Sequence, residues 1–155
     1  MTTLAMRARE PASARKLALG FIAGFLAVLI FHQPVVALLA QIGLAKGGVY
    51  AMNATMPFGV PQVISLSFWG GVWGVIFALV EHRFPRGPLY WVYAFAFGAI
   101  FPTLVAWFIV SPVKHLPMAG GWQAGRMATG LLANGAWGAG TALLLAVIYR
   151  FRKRW

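Results

Sequence analysis

"QVISLSFWGGVWGVIFALVEHRFPRGPLYWVYAFAFGAIFPTLVAWFIV", residues 62–110, decides the fold. Two apolar runs, Gln62–His82 and Leu89–Val110, flank a short basic link in which Pro85, Gly87 and Pro88 stop helices on both sides. Each run is long enough to cross a hydrocarbon core of roughly 30 Å, which takes about 20 apolar residues in a helix. The link "EHRFPRGP" (81–88) is too charged to follow them into lipid, so it is a tight turn at a membrane surface.

Working outward, a third run opens at Leu17 and continues to about Gly43, and a fourth covers about Gln123 to Tyr149. The chain reads as an all-α integral membrane protein. Four transmembrane helices, spanning about 17–43, 62–82, 89–110 and 123–149, form an antiparallel bundle between basic tails at 1–16 and 150–155. Composition agrees, since 61% of the residues are hydrophobic and only 10% are charged, whereas a soluble domain carries about 25% charged residues. No polar coat for a globular surface is available.

Orientation follows from the basic residues. Arg7, Arg9, Arg15 and Lys16, then Arg83 and Arg86, then Arg150, Arg152, Lys153 and Arg154 fall on one side; Lys46, Lys114 and Arg126 fall on the other. Lys and Arg favour the cytoplasmic side, so both termini are expected inside. The net charge of +11 is therefore read as flanking charge that meets anionic lipid headgroups, and nucleic acid is not expected as a partner. A cleaved signal peptide is not read, because no A-x-A site follows the first run. The outer segment 44–61 contains "MPFGVPQ", a fixed, non-helical approach to the second span, and "SPVKHLPMAGG" (111–121) is a second proline-anchored outer loop. No internal repeat is read between spans 1–2 and spans 3–4.

Small residues mark the faces where helices meet, because backbones in lipid associate through close packing. They are Gly20, Ala23, Gly24 and Ala27; Gly70, Gly71, Gly74 and Ala78; Ala96, Ala99 and Ala106; and Gly130, Gly138 and Ala142. "GGVWG" (70–74) also qualifies as a seam between two copies of the chain.

Polar residues interrupt the apolar runs at one height. Counted from the cytoplasmic edge at 1.5 Å per residue, His32, Ser67, Thr103 and Asn134 all lie about two thirds of the way across a 30 Å core. The reading is a polar layer, either interhelical glue or a small site open to the outer face. Ser67, Thr103 and Asn134 point toward the small-residue faces and His32 away from its own. Pro34 and Pro102 free the carbonyls of Ile30 and Gly98, which the layer would satisfy. At the cytoplasmic edge, Glu81 with Arg83 and Arg86 is a candidate charge site, most simply a salt bridge.

Chemistry is excluded part by part. The chain has no cysteine, so disulfides and thiolate metal sites are out. Haem between helices needs two ligands at matching depth; His32 has no intramembrane histidine partner, with His82 at an edge and His115 in a loop. No cofactor or metal site is assigned. Paired carboxylates, a Ser/His/Asp set or a phosphate-cradling loop cannot be assembled, and no enzyme activity is expected.

The whole chain, and "EHRFPRGPLYW" (81–91) in particular, resembles small four-span bacterial inner-membrane families of unknown function. The resemblance implies a multi-pass protein of the bacterial inner membrane and brings no active residues with it. The expected function is a non-enzymatic accessory, assembly or self-associating structural subunit, a homo-oligomer or part of a larger membrane complex. The alternatives are a small oligomeric transporter or channel using the polar layer, and a binder of a lipophilic ligand such as a quinone, tetrapyrrole or carotenoid.

Overall fold

A computed structural model describes residues 14–152. Four helical rods are long and apolar enough to cross a membrane: Ala14–Gln41, Gln62–Arg83, Pro88–Val113 and Ala124–Arg150. The basic tail at 1–13 and residues 153–155 lie outside the described residues.

The first rod comprises α1 (Ala14–Ala27), a π-helical turn (Val28–His32) and α2 (Gln33–Gln41). Two short antiparallel strands, β1 (Ala54–Thr55) and β2 (Val60–Pro61), fill the following loop. They lead into α3 (Gln62–Val80), which a 3₁₀ turn (Glu81–Arg83) closes. The third rod comprises α4 (Pro88–Val105), a π-helical turn (Ala106–Val110) and the short α5 (Ser111–Val113). A left-handed turn within Met118–Trp122 precedes α6 (Ala124–Arg152).

The π turns have a common cause. Each ends two residues before a proline, His32 before Pro34 and Val110 before Pro112. The Gln33 N–H reaches back to Val28 O, and the Ser111 N–H reaches back to Ala106 O. A proline has no N–H to give, so widening the preceding turn shifts which carbonyl loses its partner. In the first rod that carbonyl belongs to Leu29: its α-helical donor is spent on Val28, and its π-helical donor would be Pro34. The Tyr50 hydroxyl of the loop supplies the missing bond to Leu29 O at 2.6 Å. The gap expected at Ile30 is thus moved by one residue, and the 43–61 loop caps it.

Close backbone contact organises the four rods into two antiparallel hairpins. A Cβ built on Gly24 would meet Gly70 O and lie 2.8 Å from Gly74 Cα, and one on Gly74 would meet Gly20 O and lie 2.8 Å from Gly24 Cα. The α4–α6 pair makes the same contact. A Cβ on Gly98 would meet Asn134 O and lie 2.8 Å from Gly138 Cα, and one on Gly138 would meet Ala94 O. The "GGVWG" face is therefore occupied by the chain's own first span and is not an open seam for a second copy.

The two contacts are copies of one pattern, which corrects the reading that no repeat exists. Phe-x-x-Gly occurs at 21–24 and at 95–98, and Gly-x-Trp-Gly at 71–74 and at 135–138. The Phe21 ring covers Gly71 as the Phe95 ring covers Gly135. Each hairpin is one such pair, and the two hairpins run in the same direction.

Where the hairpins meet, the copies differ. Position 23 is alanine, fully buried, and the corresponding position 97 is phenylalanine. Small residues let α1 approach α6, where Trp137 is 2% exposed and donates its indole N–H to Gly24 O at 2.8 Å. Rings instead hold α3 off α4. Phe77 packs edge-on to Phe97 at 5.3 Å, and Trp73 packs on Phe97 at 6.3 Å, a geometry that favours the ring quadrupoles. The aromatic wedge continues to Phe84 of the 81–87 link, 5.6 Å from Phe77.

Candidate functional site

Among the described residues, the four polar residues do not join in one hydrogen-bonded network. Thr103 and Asn134 do come together, one from each rod of the second hairpin. The Asn134 side-chain amide donates to Thr103 Oγ1 at 2.8 Å, and Thr103 Oγ1 donates to Gly130 O at 3.4 Å. Ser67 is fully buried but turns back on its own helix, donating to Val63 O at 2.8 Å. Thr141 and Thr129 do the same to Trp137 O and Gly125 O. A serine or threonine in a helix always has its own i−4 carbonyl within reach, so equal depth alone does not bring two of them together.

His32 is the outlier. Its Nδ1 is buried without a hydrogen-bond partner among the described residues, and it sits at the end of the π turn. The residue beside it carries the polar contact: Gln33 is 5% exposed, and its side-chain oxygen accepts the Tyr50 N–H at 2.8 Å. Gln33 and Leu29 together pin the loop through both ends of Tyr50. The sequence reading passed over Gln33 in favour of its histidine neighbour.

These placements order two substitutions. Asn134→Leu strands Thr103 and is expected to cost about 1 kcal/mol or more, near the upper end for hydrogen bonds between membrane helices. His32→Leu removes a buried unpaired nitrogen and is expected to leave stability unchanged or raise it. Unfolding of both variants in detergent measures this. A larger loss for His32→Leu than for Asn134→Leu overturns this ordering and means that His32 is held by contacts within the protein.

At the other end of the bundle, Glu81 gathers all four rods. Its Oε2 accepts from Tyr90 OH at 3.0 Å and its Oε1 from Tyr149 OH at 3.3 Å, while the charge of Lys16, from the first rod, acts on it. Arg83 and Arg86, the expected partners, are exposed, and among the described residues neither is paired with it. Their backbone leaves the helix in the 3₁₀ turn, which turns them outward. Two phenols at the helix ends meet the carboxylate instead. That arrangement is a clasp: it ties the end of α3 to α4 and α6.

A cavity of about 240 Å³ opens at the loop end of the bundle, lined by Leu44, Lys46, Arg126, Thr129 and Gly130. Neither basic residue stood out in the sequence as more than a topology marker. Among the described residues, no group of three or more His, Asp or Glu is placed to hold a metal ion.

No protein-family model, curated protein or solved structure matches the chain.

Proposed function

We propose that the protein is a non-enzymatic membrane subunit, of the bacterial inner membrane, that works by association: an accessory, assembly or self-associating component of a membrane complex. The observation that carries this reading is how the interior is spent. Glycine backbones in contact fill each hairpin, aromatic rings and Trp137 fill the space between hairpins, and the polar side chains of the core bond back into the same hairpin. A transported solute needs polar groups left facing a path through the bundle, and here Ser67 and Thr141 bond to their own helix while Asn134 bonds to Thr103. Both termini lie in the cytoplasm in this proposal, on the charge distribution of the tails and the 83–86 link.

Purification in a mild neutral detergent with mass measurement tests the association. A homo-oligomer or a defined set of co-purifying subunits is expected. A monomer that carries a coloured ligand, or that moves a solute across proteoliposomes, overturns the proposal. Reporter fusions after Trp155 and in the Lys114–Leu116 loop test the orientation independently; they are expected to report inside and outside respectively.

A further inference from the structure

The cavity at the loop end is walled by two cations and has no acid to answer them. The whole chain contains two acidic residues, Glu10 and Glu81. Glu10 precedes the first rod, and Glu81 lies at the clasp, at the opposite end of the bundle. Lys46 and Arg126 thus share one cavity that, among the described residues, no carboxylate lines. Both line one open recess, and an anion placed there is attracted to both.

Both cations are held on fixed backbone. The segment that carries Lys46 leaves α2 through a tight C-terminal motif: Gly43 has φ +76°, and the N–H groups of Leu44 and Ala45 both return to Leu39 O, at 2.9 and 3.1 Å. A glycine in that left-handed position closes a helix and sets the direction of the chain beyond it. Leu44 then lies against α6, its carbonyl 3.5 Å from where a Cβ on Gly125 would be. Arg126 is braced from the other side. Residues Ala119–Trp122 all have positive φ, between 49° and 71°, and this left-handed turn brings the Gly120 carbonyl to 3.4 Å from Arg126 Nη1. A Cβ on Gly120 would come within 2.8 Å of Arg126 Cβ, so the turn packs on the stem of the arginine as well as its head.

The floor and walls suit a phosphate-bearing group. Thr129 and the backbone of Gly130 complete the lining, and the Trp107 indole nitrogen is 3.4 Å from where a Cβ on Gly130 would be. The recess, of about 240 Å³, has room for a phosphate or a phosphodiester headgroup. Leu44 provides an apolar wall. Arginine offers a planar pair of donors matched to phosphate oxygens, and lysine adds a second positive charge.

We propose that Lys46 and Arg126 form a binding site for a phosphate-bearing anion, the headgroup of an anionic phospholipid or free phosphate, in the cavity between the end of α2 and the start of α6.

The full-length protein in neutral detergent tests this by thermal unfolding and native mass measurement, with phosphatidylglycerol, phosphatidylcholine and inorganic phosphate as separate probes. Phosphatidylglycerol is expected to stabilise the protein and to remain as a bound adduct, and phosphatidylcholine is not. Lys46→Gln and Arg126→Gln should each weaken the tight adduct about fivefold, the effect of one basic residue near a charged lipid. Lys114→Gln, on the other loop, should leave it unchanged. Lys46 is exposed, so Lys46→Gln does not threaten folding. Protection by inorganic phosphate that Lys46→Gln abolishes assigns the site to a free anion; protection by the lipid alone assigns it to the headgroup. Adduct and protection that survive in both glutamine variants overturn the proposal, as does equal loss in Lys114→Gln.

Discussion

Gly74→Ala is expected to destabilise the protein by about 3 kcal/mol or more, although it adds only a methyl group. Small-to-large changes in a packed interior usually cost about 1–3 kcal/mol, more when nothing can move aside. Here the neighbours are backbone: the new Cβ would meet Gly20 O and lie 2.8 Å from Gly24 Cα and 3.0 Å from Gly24 N. No rotamer change relieves that contact, so α1 must separate from α3. The opposing helix-propensity gain of Ala over Gly is about 1 kcal/mol and does not offset it. Gly125→Ala is the matched comparison, a glycine in α6 whose added Cβ finds ordinary contact, 3.5 Å from Leu44 O. It should be neutral or stabilising by up to about 1 kcal/mol. Unfolding midpoints of the two variants in detergent should therefore move apart. Midpoints that fall equally would show that the α1–α3 contact is not what holds the first hairpin. Gly98→Ala, the copy of this position in α4, carries the same expectation, since its Cβ would meet Asn134 O and lie 2.8 Å from Gly138 N.

That equivalence bears on how much of the fold was legible in the sequence. Membrane spans are plain, because length and hydropathy are one-dimensional quantities. The described rods begin and end within three residues of the spans read from the sequence, and the 81–88 link is fixed by prolines and charges that lipid excludes. The small-residue faces were legible too, but not their partners. Gly70 and Gly74 advertise a close approach without saying to which helix, and a second copy stood as an alternative to a neighbouring span. The repeat was present as Phe-x-x-Gly and Gly-x-Trp-Gly. Those signatures are short, and the residues between and beyond them face lipid or rings and are free to differ. Only the shared geometry, a ring over a glycine beside a backbone crossing, identifies them as copies.

The polar residues show the opposite limit. Depth can be counted along a helix, and counting placed Thr103 and Asn134 correctly at one height, where they bond. Counting cannot choose between a neighbour across the bundle and the carbonyl one turn back. Ser67 took the nearer acceptor. Tyr50, in a loop between spans, entered no count of depth, yet it satisfies the carbonyl that the Pro34 π turn leaves open. The Lys46 and Arg126 cavity was out of reach for a similar reason: eighty residues of chain separate the two, and only the closure of α2 onto α6 makes them neighbours.

The second large effect is expected at Trp137, and it follows from the place where the two copies stop being alike. Trp137 and Trp73 occupy the same position in the two Gly-x-Trp-Gly motifs. Trp137 is 2% exposed, reaches across to the other hairpin, and gives its indole N–H to Gly24 O at 2.8 Å. It stands where Ala23 leaves room. Trp73 is half-buried against Phe97, which fills the corresponding space. Truncation of a buried tryptophan costs about 3–5 kcal/mol, so Trp137→Ala should unfold or separate the hairpins, and Trp73→Ala should cost clearly less. Trp137→Phe divides the effect into its parts. It keeps most of the ring and removes the donor, so its cost should be about 1 kcal/mol, the scale of one hydrogen bond between helices in a bilayer. Trp73→Phe removes no bond and should change little. Unfolding in detergent measures all four variants. The decisive comparison is between the two alanine variants: if Trp73→Ala is as damaging as Trp137→Ala, the aromatic wedge between α3 and α4 joins the hairpins as strongly as the α1–α6 contact. In that case the substitution of Phe97 for an alanine has only exchanged one means of joining for another.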